Sequence, residues 1–105
     1  MIDLKVMGDE ILSNKLAHGW KVTGPDDWCD PHEVPAVLSL IHSEVSEALE
    51  TFREKDIAHF AEELADVMIR TVGLSHGLEI DLEFEIAKKM LKNKNRPFQH
   101  GGKRI

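Results

Sequence analysis

Four carboxylates stand in two pairs of equal spacing: Glu44 and Glu47 within "SEVSE", then Glu63 and Asp66 within "ELAD". On a helix, residues three apart lie on one side, roughly one turn apart. Each pair therefore sets two negative charges side by side, at a cost of a few tenths of a kcal/mol when exposed and more when shielded from water. A cluster of carboxylate oxygens suits a hard divalent cation, Mg2+ or Mn2+. The spacing also admits a plainer reading, two solvated helix faces in a chain that is 30% charged, with Arg70 pairing to Asp66 four residues before it. Two pairs on consecutive helical segments strengthen the metal reading, because antiparallel packing across a short turn would bring all four acids together. A carboxylate di-iron bundle needs Glu-x-x-His, and no Glu of this chain has a His three residues later.

The elements that must position these acids read as four helices. Leu4, Met7, Ile11, Leu12 and Leu16 recur at helical spacing behind Asp3 as N-cap, with Gly19 placed to end the run; Gly8 is an unfavourable residue inside it. "GWKVTGPDDWCDP", Gly19 to Pro31, reads as a loop that carries Trp20 and Trp28. The second helix is expected from about Pro31–Pro35 to Glu54, its apolar side running through Val37, Leu38, Ile41, Val45, Leu49 and Phe52, with Glu44 and Glu47 at the border of that arc. Asp56 then caps a third helix to about Ser75. "HGLEID" is a turn, and Asp81 caps a fourth helix with Phe84, Ala87 and Leu91 on one side. No strand-like alternation, internal repeat or low-complexity linker interrupts the chain. The class is all-α, a four-helix bundle in a single domain over 1–105, with 97–105 as a tail.

Composition narrows the function. Thirteen basic and 19 acidic residues give a net charge of -6, against a protein that coats a nucleic-acid polymer through a general positive field. The charge is divided: residues 1–85 hold all 19 acids and six Lys/Arg, a balance of -13, whereas 86–105 hold seven Lys/Arg and no acid, a balance of +7. An acidic body with a basic end can hold a ligand that carries both metal cations and phosphates. Cys29 is the single cysteine, so no internal disulfide or Cys-rich zinc site is available, and it lacks a partner for nucleophilic catalysis. The start lacks the positive flank and long apolar run of a signal peptide, and no stretch approaches the roughly 20 apolar residues of a membrane span. A soluble cytoplasmic protein is expected. So short a chain buries a modest share of its surface, which favours self-association. His42, His59 and His76 fall at scattered helical positions without metal-ligand spacing and read as structural or solvated.

"LSLIHSEVSEALETFR", "EELADVMIR" and "KNKNRPFQHGGKRI" together resemble the MazG-like all-α nucleoside triphosphate pyrophosphohydrolases, relatives of the dimeric dUTPases. The family pattern is Glu-Glu-x-x-Glu, a spacer, then Glu-x-x-Asp. Glu44 and Glu47 match the later two acids of the first half, the 15 residues Ala48 to Glu62 form the spacer, and Glu63 and Asp66 match the second half. Ser43 stands where the first Glu would be, which removes one acidic contact and leaves the four usual metal ligands.

The resemblance implies cleavage of a nucleoside triphosphate between its α and β phosphates, giving a monophosphate and pyrophosphate. Mg2+, with Mn2+ as a substitute, would be held by Glu44, Glu47, Glu63 and Asp66, one of which, Glu47 for instance, steers or deprotonates the water. Lys89, Asn93 and Arg96 resemble the family's phosphate and sugar contacts, an ordinary basic helix end being the plainer account of them. Trp20 or Trp28 is a candidate to stack on the base, packing within the bundle being the plainer role. A homodimer or homotetramer that completes bundle and pocket across subunits follows from the same resemblance. The alternative is a helical module that keeps the fold and binds a nucleotide or a protein without catalysis.

Overall fold

The computed structural model describes residues 2–97, all-helical apart from turns and short connections, as expected. Helix α1 spans Leu4–Ala17, α2 Glu33–Arg53, α3 Ile57–Gly77 and α4 Leu82–Lys94. A short 3₁₀ turn, Pro25–Cys29, lies inside the stretch expected to be loop. The expected tail beyond Pro97, including Lys103 and Arg104, lies outside the described residues.

The caps explain the boundaries. Asp3, Asp56 and Asp81 each accept a hydrogen bond from the first turn of the following helix: Asp3 from Lys5 and Val6, Asp56 from His59, Asp81 from Phe84. At the other end, α1, α2 and α3 close with the same motif, a left-handed residue followed by an amide that reaches back five residues. Gly19 (φ 75) fills that place after α1, with Trp20 N donating to Lys15 O at 2.9 Å. Lys55 (φ 58) fills it after α2, with Asp56 N donating to Thr51 O, and Glu79 (φ 62) after α3, with Ile80 N donating to Ser75 O. The third helix consequently runs through Gly77 instead of stopping near Ser75, because Glu79 carries the turn.

Helices α2 and α3 form an antiparallel hairpin across the three residues Glu54 to Asp56 and pack along their length, while α1 lies on α3. Small residues set the α1–α3 approach. Gly8 is buried against the His76 ring, which a Cβ there would enter, and Gly73 faces Ile11 across 3.0 Å of potential Cβ contact. Among the described residues the buried apolar core is small, Ala48 and Val72. Thr51 and Ser75 are buried alongside, their hydroxyls returned to carbonyls of their own helices, Ala48 O and Val72 O.

Much apolar surface stays open. The outer stripe of α2, Leu38, Val45, Leu49 and Phe52, is 48–68% exposed. Helix α4 touches mainly α3, and Phe84, Ile86, Met90 and Leu91 are exposed along it.

Candidate active site

The α2–α3 hairpin carries out the convergence that the spacing suggested. One carboxylate oxygen each from Glu44, Glu63 and Asp66 lies within 4.8 Å of the others, Glu63 buried, Glu44 half-buried and Asp66 exposed. Glu47, the fourth acid, is exposed and stands outside this trio, close enough to Glu63 to disfavour its ionisation.

Two neighbours of the cluster have partners that differ from the sequence expectation. Arg70 does not pair with Asp66 on its own helix; its Nε donates across the hairpin to Glu44 Oε1 at 3.2 Å, because Glu44 is the better shielded acid and faces α3. His59, half exposed, sets Nε2 at 3.2 Å from Glu63 Oε1, one helical turn away on the same face. The i to i+4 spacing of His59 and Glu63 was the available signal for that contact. His76, by contrast, bonds Asp9 at 2.8 Å and belongs to the α1–α3 packing, and His42 is exposed.

Crowding shows in the chemistry of Glu63. The adjacent Glu44 carboxyl, burial and the charge of Glu47 push its pKa up from 4.5 to about 7. A raised pKa means that the folded chain holds this proton across pH 4.5–7 while the unfolded chain has released it. Stability therefore falls as pH rises through that window, the full penalty standing above about pH 7. In EDTA, thermal unfolding is expected at a lower temperature at pH 8 than at pH 5, and added Mg2+ should restore the difference at pH 8 by binding the folded form. An EDTA melting temperature that rises across this window would contradict the assignment.

The residues fit a hard divalent cation on an observation independent of spacing. Glu63 Oε2 is buried and has no hydrogen-bond partner among the described residues. An orphaned buried carboxylate oxygen is costly, and the carboxylate that bears it belongs to a cluster of oxygen donors of the kind Mg2+ and Mn2+ prefer. Glu44, Glu63 and Asp66 would hold such an ion, with Glu47 beside them.

A cleft of about 400 Å³ opens next to the cluster, lined by Asp66 and Arg70, by the apolar Val37 and Leu40, by Trp20, and by the polar Lys15 and His18. The backbone at Trp20 is held from two directions. The cap of α1 pins its amide, and the next residue, Lys21, pairs with Asp27 at 3.0 Å and Glu33 at 3.3 Å. Those contacts raise the Lys21 pKa, its hydrogen bond to Asp27 foremost, and lower that of Asp27, first through the Gly24 amide and then through Lys21. Thr23, buried, donates to Glu33 at 2.8 Å, and its carbonyl rests against Gly77 at the end of α3. Trp28 is exposed and does not line the cleft. A larger cavity, about 500 Å³, lies between the start of α1 and the α3–α4 turn and contains none of the four acids.

The basic residues of the fourth helix are placed apart. Lys89 and Asn93 are exposed on α4 and Arg96 follows it. Among the described residues no hydrogen bond or ion pair joins them to the four acids; the one α4 cation that is paired, Lys88, bonds Glu85 at 3.0 Å. Arg96 first, then burial and Lys92, hold the Lys89 ammonium below its ordinary pKa, so this end concentrates positive charge that an anion would relieve.

No curated protein and no solved structure matches the chain. One protein family does, over residues 33–98, more than half of the chain. The matched stretch begins at α2, includes all four acids with Arg70 and His59, and takes in Lys89, Asn93 and Arg96. The hairpin of acids, the orphaned oxygen of Glu63 and this match together place the chain in the MazG nucleotide pyrophosphohydrolase domain family.

Proposed function

We propose that the protein hydrolyses a (deoxy)nucleoside triphosphate between its α and β phosphates, giving the monophosphate and pyrophosphate. The observation that carries this reading is the convergence of Glu44, Glu63 and Asp66, with an unpartnered buried oxygen, at the edge of a cleft large enough for a nucleoside. Glu44, Glu63 and Asp66 would hold Mg2+, or Mn2+ in its place, which supplies neutralisation of phosphate charge and acidification of water.

The chain supplies the rest. Glu47, exposed beside the trio, takes the proton as a water attacks the α-phosphorus and the bond to the α–β bridging oxygen breaks. His59 and Arg70 fix one oxygen each of Glu63 and Glu44, limiting the freedom of both carboxylates. Trp20 forms one wall of the cleft and stacks on the base.

Two further features support an assembly. The open apolar stripe of α2 and the uncovered face of α4 are surfaces that a second copy would bury, and an acidic body next to a basic fourth helix is complementary to itself. A homodimer or homotetramer would let Lys89, Asn93 and Arg96 serve the triphosphate at the acids of a neighbouring subunit. No described helix is long and apolar enough to cross a membrane, and the exposed free thiol of Cys29 suits the reducing cytoplasm.

The test is pyrophosphate release from the eight standard ribo- and deoxyribonucleoside triphosphates with Mg2+ or Mn2+. Release that EDTA abolishes is expected. Silence with every one of them, and with noncanonical nucleotides, would leave a helical binding module without catalysis.

A further inference from the structure

We infer that Arg70 binds the substrate directly, its Nε edge holding Glu44 while its outer Nη edge receives a non-bridging oxygen of the phosphate nearest the nucleoside. This rests on the nucleotide reading of the cleft. Arg70 lies one turn beyond Asp66 on α3, and the same cleft is lined by Ile69 beside it, Gly73 one turn further on, and Leu40 of α2. Along α3 the order is thus Asp66, then the guanidinium, then Gly73, with the apolar Leu40 and Ile69 beside them and Lys15 and His18 on the α1 side of the cleft. A nucleotide laid with its phosphates at the acids and its base toward Leu40 and Trp20 brings the junction of phosphate and sugar to Arg70.

The guanidinium is suited to both tasks at once. It has five N–H donors in a rigid planar fork. Nε bonds Glu44 Oε1, whose side chain is only 13% exposed, whereas Arg70 is 40% exposed and its Nη nitrogens donate to no described residue. A cation held by one carboxylate in a part-buried site cannot swing freely, so its remaining donors face the cleft already oriented. Charge-assisted hydrogen bonds to phosphate are the strong class. A lysine in this place would keep the charge and lose the ability to span two anions.

The test separates a phosphate contact from mere support of Glu44. At saturating Mg2+, the affinities of the wild-type protein, Arg70→Lys and Arg70→Met are measured for deoxynucleoside monophosphates and for the matching nucleosides, while Mg2+ affinity is measured alone. Circular dichroism checks folding. Arg70→Met should weaken monophosphate binding roughly 10–100-fold and leave nucleoside binding within about twofold, with Arg70→Lys intermediate. A change in Mg2+ affinity alone, or equal losses for monophosphate and nucleoside, would show a supporting or sugar-facing role and overturn the proposal. If Arg70→Met does not fold, Arg70→Lys decides: monophosphate affinity equal to wild type overturns the proposal. Wild-type protein that binds neither ligand would instead remove the nucleotide reading of the cleft itself.

Discussion

Glu63→Gln is expected to abolish metal-dependent pyrophosphate release and, in the absence of metal, to make the protein more stable. The two effects have one cause. Glu63 is the buried member of the trio, its Oε2 lacks a partner, and Glu44 with Glu47 crowds it. A neutral amide removes the charge that Glu44, burial and Glu47 oppose, so at pH 8 in EDTA the variant should unfold at a higher temperature than wild type. At pH 5, where Glu63 already holds its proton in the folded chain, the advantage should vanish. The same amide removes a ligand. Loss of an outer partner to a metal ligand costs 10–100-fold in affinity or activity, so loss of the ligand should lower turnover by at least ~100-fold, and Mg2+ should no longer raise the melting temperature. Retained turnover together with retained Mg2+ stabilisation would move the metal away from this cluster.

Gly77→Ala is expected to be the most damaging single-methyl change among the described glycines. Alanine is otherwise the better helix former by about 1 kcal/mol, so propensity alone predicts a gain. The added Cβ would collide with the carbonyl oxygen of Thr23, a backbone atom held by the Thr23–Glu33 hydrogen bond and the Lys21 ion pairs. A backbone cannot turn aside as a side-chain tip can, and overpacking costs 1–3 kcal/mol or somewhat more. A net loss of about 2 kcal/mol would lower Tm by about 10 °C. Because the displaced loop carries Trp20, KM should rise more than kcat falls in the protein that stays folded. Unchanged melting and unchanged KM would mean that the loop is not seated on α3.

The helices were readable because their ends are local chemistry. Asp3, Asp56 and Asp81 cap through side chains that reach only two or three residues, and Gly19 announces its turn by being glycine. Lys55 and Glu79 perform the same left-handed turn without that signature, so nothing in the sequence carries α3 past Ser75 to Gly77. The 3₁₀ turn at Pro25–Cys29 escaped because five residues are too few to show a period. At the site, spacing assigned the acids to helix faces, but which of them converge depends on how α2 and α3 are rotated against each other. Glu47 falls outside the trio and Arg70 reaches across to Glu44 for that reason. Gly8 weakens α1 as a local sequence and permits its contact with His76, which packing alone discloses.

Helix α3 carries Glu63, Asp66, Arg70, Gly73 and Gly77 on one continuous rod, and the acids, the cleft and the seat of the Trp20 loop are all indexed to it. One residue inserted between Asp66 and Gly77 would turn everything beyond it by about 100° and advance it by about 1.5 Å, so the acids and the loop seat would lose their common face. The turn from Glu54 to Asp56 has no such constraint, since a longer connection there costs only slowly growing closure entropy. Insertions and deletions in relatives of this chain should therefore gather in the hairpin turn, and avoid α3 between its acids and its final glycine.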